Sequence, residues 1–310
     1  MLDTVQDLGR FGYRSQGINP GGAADRAAVR ILNTLVGNYE GAPVIECHFP
    51  GPEIEFLSGL TVAVGGADFA ASVDGKELPN WTVTQIRAGS ILSFRKRVSG
   101  ARAYIAVAGG GIACDEWLGS SSTNLFAKAG GFRGRKLAAG DELQTNAADG
   151  EAIEHAAGPG IVPRYEPNVE LRIIEGPEHH LLTAYSENEF FTSEFIVGRD
   201  SSRMGLRLAG PALDTMTDKE MVSCPVTPGV IQLPSGGDPV ILLADCQTTG
   251  GYPRIATVVS ADLPLAAQLS PGDTVRFRSV SMSEAAGLKR RFERDLSFLR
   301  MGIRFRSLRT

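Results

Sequence analysis

Apolar residues in this chain come in short runs. Residues 60–64, 91–94, 103–107, 171–174, 240–244, 255–259 and 274–277 are each four or five residues long and rich in valine and isoleucine. Glycine, proline, aspartate or serine bounds each run, with 37 glycines and 17 prolines spread over the whole length. Runs this short cannot make long helices; they read as strands separated by turns. Many such strands at close spacing predict a mainly β protein of barrels or sandwiches with a few helices.

Helical signals are few. In 23–36, Ala28, Ile31, Leu32 and Leu35 fall on one face, Asp25 is placed to cap the start and Gly37-Asn38 ends the run. A second helix is expected over 283–298 with Ser283 as cap, and a short third over 263–269. The stretch 145–168 is poor in apolar periodicity, and 149–168 is read as a linker. It divides an N-terminal subdomain, 1–148, from a C-terminal one, 169–310, that ends in a helix. A faint echo between 88–94 and 271–277, a turn entering a strand that closes on phenylalanine, gives modest support for duplication.

Composition removes several function classes. A chain of 310 residues with 43% hydrophobic residues can fill a real core, and its net charge of -4 lacks the basic stripe of a nucleic-acid binder. The bases from Lys289 to Arg309 fit a charged amphipathic helix. No run reaches the roughly 18 apolar residues of a membrane span. Asp3, Gln6, Asp7 and Arg10 interrupt any leader peptide, so a cytoplasmic protein is expected. Cys47, Cys114, Cys224 and Cys246 are too dispersed for a zinc site or disulfide framework. His48, His155, His179 and His180 lack metal-ligand spacing, and His179-His180 reads as a solvated turn. No Gly-x-Ser-x-Gly elbow is present. The turn Gly109-Gly110-Gly111 lacks the Lys-Ser/Thr that a phosphate loop requires, and close strand packing explains it as well.

Polar constellations remain. Near the start, Gln6, Asp7 and Arg10 alternate with glycines and could line a pocket, or form a simple turn with Asp7 paired to Arg10. Glu46 lies in an apolar run, where an acid needs a partner or a shifted pKa. Arg199, Arg203 and Arg207 could form an anion-recognition turn or a salt-bridged surface. The strongest run extends from 229 to 253. It carries Gln232, then an apolar strand, then Asp245-Cys246-Gln247-Thr248-Thr249-Gly250-Gly251-Tyr252-Pro253. Glutamine offers donors and an acceptor, which suits an amide, a ureido group or a lactam. Asp245 could orient an N–H or take a proton, and the double glycine admits a ligand close to the backbone. Cys246 has no histidine nearby in sequence and reads as a small buried residue.

These motifs together resemble one family. Thr4-Val5-Gln6-Asp7-Leu8-Gly9-Arg10, Asp25 with Asn33 and Asn38, Arg203-Met204-Gly205 with 207–211, and 247–253 are similar, in order, to the allophanate hydrolase subunit 2 family. It is also called the biotin-dependent carboxyltransferase family, and it includes the C component of 5-oxoprolinase. The resemblance covers about 4–285. It implies two cyclophilin-like β-barrel subdomains, an obligate subunit 1 or B-type partner, and a site near their interface. Departures exist: family members usually carry a further N-terminal strand, Ser121 stands where arginine is frequent, and Cys246 where a charged residue is frequent.

The resemblance implies one component of an ATP-dependent amide or lactam hydrolase, acting with partners to open 5-oxoproline to glutamate. Asp245 and Gln247 are the expected catalytic residues. Gln6, Asp7, Arg10, Arg203, Arg207, Gln232, Thr248, Thr249, Gly250, Gly251 and Tyr252 are the expected substrate-binding ones, with no metal. ATP would be used by the complex. Two alternatives accompany this reading: a carboxyltransferase component of a urea carboxylase type, served by biotin on a separate chain, and a non-catalytic regulator of a partner that inhibits a sensor kinase.

Overall fold

The structure, a computed structural model, describes residues 2–145, 155–217 and 221–307. They form a mainly β protein with four α-helices and two compact units. The first unit comprises 1–10, 21–165 and 291–310, and the second 11–20 and 166–290.

In the first unit the principal strands are β1 (Thr4–Gln6), β2 (Val44–His48), β3 (Leu60–Asp68), β4 (Thr82–Ile86), β5 (Ser99–Val107) and β6 (His155–Ala156). They make one sheet in the order β1-β2-β5-β3-β4-β6. Four shorter strands, Ile54–Glu55, Ala71–Val73, Lys76–Glu77 and Ile91–Phe94, make a second sheet. Both sheets contribute to one core that includes Val5, Ile45, Val62, Val64, Leu92 and Ile105. A two-stranded pair, Ile112–Ala113 with Gln144–Thr145, forms a third, smaller sheet, so the first unit is two main sheets around a core with a short ribbon beside them. In the second unit β7 (Asn168–Glu175), β8 (Phe195–Val197), β9 (Gly205–Ala209), β10 (Val230–Gln232), β11 (Val240–Leu242), β12 (Arg254–Val258) and β13 (Thr274–Ser279) close into a barrel, ordered β7-β12-β10-β11-β9-β8-β13. Its interior is filled by Ile173, Leu206, Leu208, Ile231, Ile241 and Val275, among others. Alternation along each strand places these side chains inward and their sequence neighbours outward.

Helix α1 (Arg26–Leu35) starts where the Asp25 carboxylate accepts from the Ala28 amide at 2.9 Å, and it buries Ala28, Ile31, Leu32 and Leu35. Helix α2 (Ala184–Thr192) escaped the sequence reading because only Ser186 and Phe190 are buried along it, so no apolar stripe marks it. Thr183 caps it, accepting from Ser186 N at 3.2 Å. Helix α3 spans Leu263–Ala267 and α4 spans Met282–Ser307. The cap of α4 is Ser281 rather than Ser283, its hydroxyl accepting from Glu284 N at 3.1 Å.

Unit membership departs from a cut by sequence position. Of the stretch read as linker, 149–154 lie outside the described residues, while His155 and Ala156 pair with Val83 and Thr82 as β6. Residues 291–310 belong to the first unit, where Arg30 forks onto Glu293 with two bonds of 2.8 Å and lies 5.2 Å from the Phe292 ring. Residues 11–20 belong to the second, where Asn19 donates to the Asp245 carbonyl at 2.9 Å.

The His179-His180 pair is only half solvated. His180 is exposed, but His179 is buried against Phe190 and Phe191, with Nδ1 3.0 Å from the Ile255 carbonyl. The aromatic cluster behind it, absent from any local pattern, pulls the ring inward.

Candidate functional site

In the first unit the N-terminal constellation is held by a serine loop. Thr123 N and Oγ1 both donate to the Val5 carbonyl, at 3.0 and 2.9 Å, which docks the loop onto β1. The Asp7 carboxylate then accepts from Gly9 N at 2.6 Å, Ser121 N at 2.7 Å, Ser120 Oγ at 2.7 Å and Ser122 Oγ. Ser121, noted as a departure, thus contributes its backbone. Arg10, 2% exposed, donates to the Ser122 carbonyl and lies 4.8 Å from the Trp117 ring. Gln6 donates to Thr4 Oγ1 at 2.9 Å, while its Oε1 is buried with no hydrogen-bond partner among the described residues.

Glu46 accepts from Ala24 N at 2.9 Å and Tyr104 Oη at 2.8 Å. Burial, with Glu46 and Asp25 beside it, holds the Tyr104 phenol well above its ordinary range. Asn33 and Asn38 bond to each other and to the carbonyls of Ala42 and Val107, and Asn38 Oδ1 accepts from Gly110 N at 2.8 Å. A Cβ on Gly111 would strike the Pro43 carbonyl, so close packing accounts for this glycine turn.

In the second unit the motif 245–253 leaves the barrel at the end of β11. Its backbone stays tied to the arginine turn: Leu243 N donates to the Met204 carbonyl and Asp245 N to the Arg203 carbonyl, each at 3.0 Å. Arg203, 5% exposed, forks onto Asp245 through Nε to Oδ2 at 2.8 Å and Nη2 to Oδ1 at 3.0 Å. Arg203 therefore has its carboxylate within the chain. Cys246 is buried beside Val226, Val230 and Leu242, the small packed residue expected.

The outer face of the barrel carries a row of polar groups of unequal exposure. Across three strands Arg207, Val240 and Gln232 are directly paired, and the next strand brings Arg254 opposite Gln232 past a β-bulge. Residues paired in this way share a face, so Arg207 and Gln232 stand two strand spacings, about 10 Å, apart. Arg207 is exposed; Gln232 is 2% exposed, roofed by the short strands Cys224–Pro225 and Thr249–Gly250. Gln247 donates from Nε2 to Gln232 Oε1 at 3.1 Å. The Gln232 Nε2 is buried with no hydrogen-bond partner among the described residues. A Cβ on Gly250 would stand 2.5 Å from that nitrogen, so glycine is what leaves room there. Thr248 gives its carbonyl to Val226 N at 3.0 Å, while Thr249 and Tyr252 are exposed and Gly251 half-buried.

The structure thus joins Arg203 to Asp245 and Gln232 to Gln247 and Gly250, with Arg207 in register. Gln6, Asp7 and Arg10 form their own cluster in the first unit. The sequence reading stopped at Pro253 and missed Arg254, the next residue. Arg254 is forked onto Glu178 at 2.8 and 2.7 Å, and the guanidinium holds the Glu178 carboxyl below its ordinary value. An arginine adjoining the motif was the available signal; Asn19 gave none. No cluster of metal-ligating side chains occurs among the described residues, and no described helix is long and apolar enough to cross a membrane.

Comparison with known proteins identifies the family. The profile of the Carboxyltransferase domain, subdomain A and B, matches residues 16–279. The chain is 38% identical to the C component of 5-oxoprolinase from Haemophilus influenzae over 96% of its length and 94% of that protein. It is also 38% identical to the same component from Escherichia coli, over 98% and 96%. The crystal structure of the Kluyveromyces lactis urea carboxylase superposes with a TM-score of 0.89 at 28% identity, covering 96% of this chain and 28% of that one. The chain belongs to the carboxyltransferase-domain family, subdomains A and B.

Proposed function

We propose that this chain is the C component of a 5-oxoprolinase, an ATP-dependent hydrolase that opens 5-oxoproline to glutamate and is active only with its partner subunits. The observation that carries the reading is the row on the barrel's outer face. Gln232 Nε2 is a buried donor with no hydrogen-bond partner among the described residues, and the exposed Gln247 is held beside it by donating to the Oε1 of the same side chain. A donor beside an amide acceptor complements the C=O and N–H that a lactam presents on one side. Arg207, about 10 Å across the sheet before its side-chain reach is counted, is placed to receive the carboxylate of the same small ring. The substrate carboxylate is assigned to Arg207, since Arg203 is already forked onto Asp245.

Gln232 would donate to the ring carbonyl and Gln247 would accept from the ring N–H. Asp245, whose side chain keeps 28% exposure and is fixed in orientation by Arg203, remains the proposed catalytic carboxylate. Thr248, Thr249, Gly250, Gly251 and Tyr252 would roof the ring. ATP would be used by the complex; in this chain Gly110 and Gly111 are taken up by contacts with Asn38 and Pro43. Gln6, Asp7 and Arg10 are kept as proposed binding residues, now as a separate group.

The test reconstitutes the chain with its partner subunits and follows ATP-dependent release of glutamate from 5-oxoproline. Gln232→Leu and Arg207→Met should each lower kcat/KM by about tenfold to a hundredfold, the value of one or two lost polar contacts. Full turnover with this chain omitted excludes the reading. A second reading, a biotin-dependent carboxyltransferase, is favoured by the likeness to urea carboxylase, since a ureido ring offers the same C=O and N–H edge. Inhibition of turnover by avidin would select it.

A further inference from the structure

The first unit carries a trench that the proposed activity does not use. Its volume is about 680 Å³. Both walls are continuous chain, residues 52–58 on one side and 137–145, without Ala139, on the other. The floor is the apolar wall of the core, with Ile45, Ile105, Val107 and Ile112 each at most 3% exposed. The rim is acidic. Glu53, Glu55 and Glu142 are exposed, Asp141 is forked onto Arg135, and no lysine, arginine or histidine lines the trench among the described residues.

Two further facts decide the shape of what fits. The strand Ile54–Glu55 ends its sheet, pairing with Ile91–Phe94 alone, and Gln144–Thr145 pairs with Ile112–Ala113 alone, among the described residues. A strand edge offers backbone N–H and C=O groups to an extended chain; a helix has used its own. Along 53–57 burial alternates, with Glu53, Glu55 and Leu57 outward and Ile54 and Phe56 inward. A strand added here would send alternate side chains to the apolar floor and to the carboxylate rim. The residues after Thr145 include Asp149, Glu151 and Glu154 and no base before His155, so their charge is wrong for this rim.

We propose that this trench docks an extended segment of a partner protein in which apolar residues alternate with lysine or arginine, added as a strand along 52–58. The probe is a fluorescently labelled, end-blocked peptide of eight residues alternating lysine with valine or isoleucine, titrated by anisotropy into the full chain at low salt. Saturable binding is expected. Glu55→Lys with Glu142→Lys, both exposed positions that leave the core intact, should weaken it by about tenfold. A peptide of the same charge with two internal prolines, which cannot pair as a strand, should not bind. Hydrogen exchange on adding the probe should slow at 52–58 and 137–145. The proposal is overturned by absent saturation up to about 1 mM, by equal binding of the proline peptide or of the charge-reversed protein, or by protection confined to other segments.

Discussion

Removing either half of the Arg203–Asp245 pair should have unequal consequences. The Arg203 side chain is 5% exposed, whereas that of Asp245 keeps 28%. Asp245→Ala strips a nearly buried cation of its fork, and losing one partner of a buried pair costs about 3–5 kcal/mol. The open edge of the site admits some water, so the low end, about 3 kcal/mol, is expected. Arg203→Met replaces the buried cation with an apolar side chain of similar length and leaves a carboxylate that water can reach, at about 1–2 kcal/mol. In the Arg203→Met background Asp245→Ala should cost under about 1 kcal/mol, a coupling of about 2 kcal/mol in the cycle. The assay must report the second unit, because both tryptophans, Trp81 and Trp117, belong to the first. Hydrogen exchange at 229–258 under increasing urea reads the right element. If Arg203→Met proves the more damaging change, or the two effects add without coupling, burial asymmetry does not govern this pair.

Other outcomes follow from the same geometry. Gly250→Ala should cost about 1–3 kcal/mol by overpacking against Gln232; adding Gln232→Ser should restore stability in urea melts but not glutamate release. Alkylation followed by mass spectrometry should mark half-buried Cys224 first and Cys114 more slowly. Cys47 and Cys246 should react only on unfolding, since both are buried and burial raises the Cys114 thiol and raises Cys47 well above its usual value. The Arg135 fork holds the Asp141 carboxyl at about 2, below its ordinary 3.8. That stabilisation is complete above the unfolded value and disappears as pH falls through about 2. Asp141→Asn should therefore flatten the pH dependence of thermal unfolding between about pH 4 and pH 2 and leave its shape unchanged above about pH 5.

Local chemistry was legible in the chain from the start. Asp25 caps α1 because a carboxylate three residues before an amide closes a ring that needs no distant partner. The strand Ile91–Phe94 lies where its short apolar run and the preceding Gly89 placed it. The run from Gln247 to Pro253 could be singled out because so many hydrogen-bonding groups after a buried strand are costly unless something uses them. Helix α2 was illegible, since its one deeply buried aromatic, Phe190, meets partners as remote as Phe277.

Sequence alone therefore determined the β character, the family and the polar stretch that opens the proposed site. Tertiary structure decided which groups in that stretch remain available. Arg203 and Arg207 look alike along the chain; the fold gives one to Asp245 and sets the other beside Val240 and Gln232. Gln232 and Gln247, fifteen positions apart, meet only because β10 pairs with β11 in one register. Caps and turns are set by neighbours a few residues away. Register and burial are set by ladders and cores assembled from the whole unit, and a slip of one residue would turn Gln232 into the barrel.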